Sequence, residues 1–186
     1  ALVAWSAIGP ISSADAAEQA PGRTMAQQAT KDAELWITTD HSKHAVLQQT
    51  FTSGPQVTKA CVSCHSEAET QFHKTIHWTW LDPNVPAGER IGKAGHSINN
   101  FCINLNGNEP RCTSCHIGYG WKDDTFDFEN ELNVDCLVCH DTTGKYKKSP
   151  AGAGFPEENL DLVAIAQNVG RPARNNCGTN CHFRGG

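Results

Sequence analysis

The chain has 186 residues, a formal net charge of −5, nine cysteines and nine histidines. An acidic balance with a calculated pI near 6.0 argues against a nucleic-acid partner, since the only basic patch is Lys145-Tyr146-Lys147-Lys148. Hydrophobic residues make up only 38%, alongside 16 glycines and 9 prolines, so side chains alone promise a thin core.

Residues 1–16 read as the remainder of a signal peptide. Ala1 to Ile11 is apolar but too short to span a bilayer, Pro10 would break a helix there, and Ala14-Asp15-Ala16 fits a small-x-small cleavage pattern. The chain is therefore expected outside the cytoplasm, periplasmic or extracellular. With no initiating Met at one end and a motif at the very end of the other, it reads as part of a longer sequence. Residues 17–35 are a small, polar tail, and 36–186 form one domain. Asp40 is placed to cap a short helix from His41 to Gln49, and Thr58 to cap the helix that carries Cys61. Ser66-Glu67-Ala68-Glu69 is a capping box predicting a helix through Trp80, with His73 and His77 on one face. Pro83, Pro86 and Gly88 end regular structure, and a loop carries His96 toward Cys102. Asn106-Gly107 marks a tight turn, Gly118 to Asn130 is loop, and Pro156 to Asn168 predicts a buried helix closed by Gly170 and Pro172.

Four cysteine pairs are each followed at once by a histidine: Cys61/Cys64/His65, Cys112/Cys115/His116, Cys136/Cys139/His140 and Cys177/Cys181/His182. The first three are C-x-x-C-H, in which two thiols add to porphyrin vinyl groups and the histidine becomes an axial ligand of the iron. The fourth has one extra residue, which can bulge from the turn while both sulfurs still face the porphyrin edge. Zinc sites or disulfides could use the cysteines, but neither chemistry requires histidine after every pair. The expected cofactor is haem c, four per chain. Four flat apolar porphyrins can replace much of a side-chain core, so the expected fold is mainly α with long loops, a multihaem cytochrome c fold with few or no strands. The helix at 156–168 is expected to pack the third haem against the fourth.

An electron-transfer haem takes a second strong ligand, usually imidazole. Outside the motifs the histidines are His41, His44, His73, His77 and His96. His41, His77 and His96 are the first candidates, followed by His73 and His44. All five precede the second motif, so late haems are served from the early chain, by another residue type, or by residues elsewhere. Cys102 belongs to no motif and is either buried and inert, paired to another chain, or reactive at a site. Lys145, Lys147 and Lys148 follow the third motif. A neutral lysine amine can hold iron weakly and leave an exchangeable position, and the competing reading is a solvated basic patch facing an acidic partner.

The strings Thr38-Thr39-Asp40-His41, Ile76-His77-Trp78-Thr79-Trp80, Ile98-Asn99-Asn100-Phe101-Cys102 and Asn108-Glu109-Pro110-Arg111-Cys112, the last running on to Trp121, resemble the N-terminal half of octahaem c-type cytochromes of the tetrathionate-reductase family. Val134-Asp135-Cys136 through Gly144 continues the likeness, which runs from about Trp36 to the end. The resemblance implies an exported protein with closely packed haems, related in haem arrangement to hydroxylamine oxidoreductase. It also implies one catalytic haem ligated by lysine, which favours a site role for Cys102 and for one of Lys145, Lys147 and Lys148. On this reading the chain is half of a reductase of sulfur or nitrogen oxyanions such as tetrathionate, nitrite or hydroxylamine. Its electrons would come from a redox protein or quinol dehydrogenase, and a second copy of the chain is a further candidate partner. The competing reading is a non-catalytic tetrahaem wire with every iron held by two histidines.

Overall fold

The computed structural model describes residues 39–86, 88–95 and 107–184. The signal-peptide and tail segments, His96 and Cys102 lie outside them. Asp40 does cap its neighbour: its carboxylate accepts the Ser42 N–H at 3.2 Å. Instead of a helix to Gln49, the chain forms two 3₁₀ turns, His41–Lys43 and Ala45–Leu47, separated at His44 by extended backbone.

Helix α1, Gly54–Val62, starts at Ser53 with Pro55 in its first turn, where a missing N–H costs nothing. Thr58 is not its cap. It is fully buried inside the helix, and its hydroxyl donates to the Val134 carbonyl at 2.6 Å. The helix predicted through Trp80 is two, α2 at Ala68–Phe72 and α3 at Ile76–Thr79. The break comes at Thr75, which is extended and whose hydroxyl donates to the Phe72 carbonyl at 2.8 Å, a local bond that competes with the helical ladder. Trp80 then ends α3 in a left-handed conformation.

Helix α4, Glu109–Cys112, has Pro110 in its first turn and tightens into a 3₁₀ turn at Thr113–Cys115. A 3₁₀ turn at Glu131–Asn133 precedes α5, Leu137–His140. Helix α6 spans only Leu162–Gln167, because Pro156 is bridged to Lys148 and Asn159 adopts a positive φ of 68°. Its start is capped by Asp161, whose side chain accepts the Ala164 N–H at 2.9 Å. It packs on α1 and the two 3₁₀ turns near His41, beside the first motif, rather than between the third and fourth. Helix α7, Arg174–Asn180, and a 3₁₀ turn at His182–Arg184 finish the described chain.

Among the described residues there is no strand, only isolated antiparallel bridges joining Gly118 to Val134, Asp141 to Val169 and Lys148 to Pro156. The loops are instead pinned by single long-range bonds, such as Asp135 N–H to Ile117 carbonyl at 2.7 Å and Trp78 Nε1–H to Phe128 carbonyl at 3.0 Å. Gly154 shows how tight this loop packing is. It sits at φ +89°, and a Cβ there would collide with the Gly118 carbonyl. Val57, Trp78, Leu137 and Ile165 form the centre of the apolar core.

Candidate haem-binding site

The first and third motifs meet. Cys61 lies in the last turn of α1, and the amides of Cys64 and His65 both return to the Cys61 carbonyl, at 3.1 and 2.9 Å, so the motif is a compact turn. The third motif is Cys136 as the N-cap followed by α5, closed by His140 N–H on the Cys136 carbonyl at 3.1 Å. The Cys61 and Cys136 thiols lie against each other; this contact lowers the Cys61 pKa and raises that of Cys136. Burial pushes the Cys139 thiol up to about 11. Both cysteine pairs, with His41, His44, His65 and His140, line one cavity of about 500 Å³, whose walls are otherwise mostly apolar, including Leu47, Phe72 and Ala166.

Two features of this cavity suit a porphyrin iron. His140 Nδ1 donates to the Gly170 carbonyl at 2.8 Å, since a carbonyl can only accept, and this leaves Nε2 for a metal. His41 Nδ1 is buried with no hydrogen-bond partner, and burial holds this imidazole below its ordinary pKa, which favours the neutral form a ligand needs. His41 also faces His65, with ring centroids 6.5 Å apart. A metal–imidazole bond is about 2.0–2.1 Å and a ring nitrogen lies about 1.1 Å from its centroid, so two imidazoles sharing one metal have centroids about 6.3 Å apart. His77 and His182 meet the same spacing at 6.4 Å. Within that spacing the planes differ, 25° in the first pair and 87° in the second.

The second and fourth motifs also meet. Cys115 lies against Cys181, a contact that lowers the former's pKa and raises the latter's. The second motif's histidine is not set for iron as it stands. His116 is fully buried, Nε2 donates to the Trp78 carbonyl at 2.7 Å, and Nδ1 accepts the Gly118 N–H at 3.1 Å. Burial drops its pKa to about 3. Iron ligation by Nε2 requires the Trp78 carbonyl to release it. Three indoles surround this ring, Trp78 at 5.2 Å, Trp80 at 5.3 Å and Trp121 at 4.9 Å.

The remaining expected site residues are dispersed. His73 stacks on Trp78 at 4.4 Å, with a buried Nε2 that has no partner. His44 is exposed and its Nε2 pairs with the Thr39 hydroxyl at 3.1 Å. Lys145 and Lys147 are exposed, whereas Lys148 is buried against Asp135, their charged atoms 3.3 Å apart. Cys112 lies at the end of α4, and Cys177 lies within α7. Sequence reasoning missed Asp135, Tyr119, Tyr146 and Asn180, which form a network among the motifs. Asp135 and Tyr119 fall in the quoted strings, Tyr146 in the basic patch and Asn180 in the longer spacer of the fourth motif, but none of these placements suggested a shared network. Among the described residues, no group of three or more His, Cys, Asp or Glu side chains could hold a metal ion by itself; paired imidazoles suit an iron whose other four ligands come from a porphyrin.

The helical, loop-rich fold and its paired cysteine–histidine motifs define a multihaem c-type cytochrome. Residues 60–141 match the family described as cytochrome c554 and c-prime. A solved octahaem cytochrome c from Shewanella oneidensis is 56% identical, with a TM-score of 0.72. The match covers 80% of this chain and 34% of that one, so this chain spans about a third of that cytochrome's length. No curated protein matches the chain.

Proposed function

We propose that the chain carries four haem c groups and transfers electrons along them, as the N-terminal part of an octahaem reductase of sulfur or nitrogen oxyanions working outside the cytoplasm. The observation that carries the electron-transfer reading is the pairing of His41 with His65 and His77 with His182 at the spacing of two imidazoles on one metal. When bound, the iron supplies one-electron chemistry. The residues supply the rest: cysteine pairs would fix the porphyrin edge, Gly170 orients His140, and the mostly apolar cavity wall suits a porphyrin face. The reductase reading draws on the likeness to the octahaem cytochrome, and so do an oxyanion substrate and a redox-protein or quinol-dehydrogenase donor. Among the described residues no helix is long and apolar enough to cross a membrane.

Within the reductase reading, Lys145, Lys147 and Cys102 are the candidates for the exchangeable site, Lys148 being already engaged. The non-catalytic wire is the second reading, favoured by the two well-spaced histidine pairs. Nitrite or cyanide titration of the haem-loaded protein, read by electron paramagnetic resonance, separates them: a perturbed haem supports the reductase, and none supports the wire. His41→Ala and His77→Ala should each convert one low-spin haem to high spin. Unchanged low-spin intensity in both variants would remove these ligand pairs.

A further inference from the structure

At the point where three motifs converge lies a fully buried carboxylate, Asp135, directly before Cys136. It is saturated. Oδ1 accepts from the Tyr119 hydroxyl at 2.9 Å and the Val138 N–H at 3.1 Å. Oδ2 accepts from the Tyr146 hydroxyl at 2.8 Å and faces Lys148 Nζ at 3.3 Å. A carboxylate has about four lone-pair sites, and each has a donor here.

The donors come from separate places. Tyr119 follows His116 by three residues, Val138 lies inside the third motif, and Tyr146 and Lys148 belong to the loop after it. Lys148 Nζ also donates to the backbone carbonyl of His116. The Lys148 backbone N–H is in turn held by the Asn180 side chain at 3.0 Å, and the Asn180 amide reaches the Tyr146 carbonyl at 3.5 Å. Asn180 is the last of the three residues between the cysteines of the fourth motif, so that motif's longer spacer is tied into the network.

We propose that Asp135 is a positioning residue that locks the second, third and fourth haem-attachment segments in register, with Lys148 as its buried counter-ion and not an iron ligand. An amine that ligates iron must be neutral and present its lone pair. Lys148 instead faces a carboxylate and donates to a carbonyl, which is the environment of an ammonium. The pair is also asymmetric. Without Lys148 the carboxylate keeps three donors, while without the carboxylate the ammonium keeps only a backbone carbonyl.

The inference rests on the multihaem reading, and the test separates the two. Haem-loaded wild type, Asp135→Asn, Lys148→Met and the double variant would be compared by intact mass, by the low-spin and high-spin signals in electron paramagnetic resonance, and by spectroelectrochemical titration. Removing a buried negative charge should raise the potential of the nearest haems, and removing the buried positive charge should lower it. Opposite shifts with unchanged spin states support the proposal, and loosened packing alone would not produce them. Asp135→Asn should also lower the thermal midpoint more than Lys148→Met, with the double variant between them. If Asp135→Asn does not mature, Lys148→Met decides: a lowered potential with the wild-type spin states retained supports the proposal. A new high-spin haem in Lys148→Met, or no shift in either variant, overturns it. A wild-type mass without porphyrin would sink the multihaem reading instead.

Discussion

Tyr119 and Tyr146 are the chain's only two tyrosines, and both donate to the same carboxylate. Burial, reinforced by the Asp135 charge, pushes both phenols well above their ordinary pKa. The folded protein therefore keeps two phenolic protons that the unfolded chain releases near pH 10. Because the folded-state pKa values are raised, this contribution to stability is present below about pH 10 and is lost as pH rises above it. Ultraviolet difference spectra should show no tyrosinate in the folded protein near pH 10, then release of both protons together with alkaline unfolding. Gradual titration of either phenol at its ordinary pKa would show that the network is open to water.

At the scale of elements, the helical turns at the motifs were legible, because a C-x-x-C-H spacing needs one helical turn to bring both sulfurs to one edge. Longer periodic readings failed where side chains bond locally. Thr75 bonds the Phe72 carbonyl and divides the predicted Ser66–Trp80 helix, and Asn159 turns the chain before α6 can start. In α6 the decisive cap is Asp161, five residues beyond the Pro156 that the sequence favoured. Asp161→Ala should lower stability by about 1 kcal/mol, as loss of an aspartate N-cap does, measured by denaturant unfolding with the porphyrin count unchanged. A destabilisation indistinguishable from zero would mean that packing against α1, not the cap, holds α6.

On the scale of the whole molecule, the meeting of motif one with three, and two with four, could not be read from the sequence. Each meeting joins segments far apart in the chain through single hydrogen bonds, such as Thr58 to Val134, that leave no periodic trace. Of the first candidate histidines, His41 lies opposite His65 and His77 opposite His182 in the fold, and His96 falls outside the described residues. The cavity between motifs one and three is also a whole-molecule property, assembled from the N-terminal turns, α1, α2, α5 and α6. Ala166 is almost fully buried on its wall. Ala166→Trp should crowd that space and lower the porphyrin count read by intact mass, since filled interiors tolerate added bulk poorly. Full loading of the variant would show that the porphyrins lie elsewhere.

The aromatic box around His116 also gives the molecule an optical property. Trp78, Trp80 and Trp121 stand within about one ring diameter of a histidine that belongs to a haem-attachment motif. A porphyrin absorbs in the band where indole emits, so these three tryptophans should be dark in a loaded protein and bright in a chain that never received its haem. Maturation of this segment thus writes itself into the protein's own fluorescence, where it can be followed in real time without any added dye.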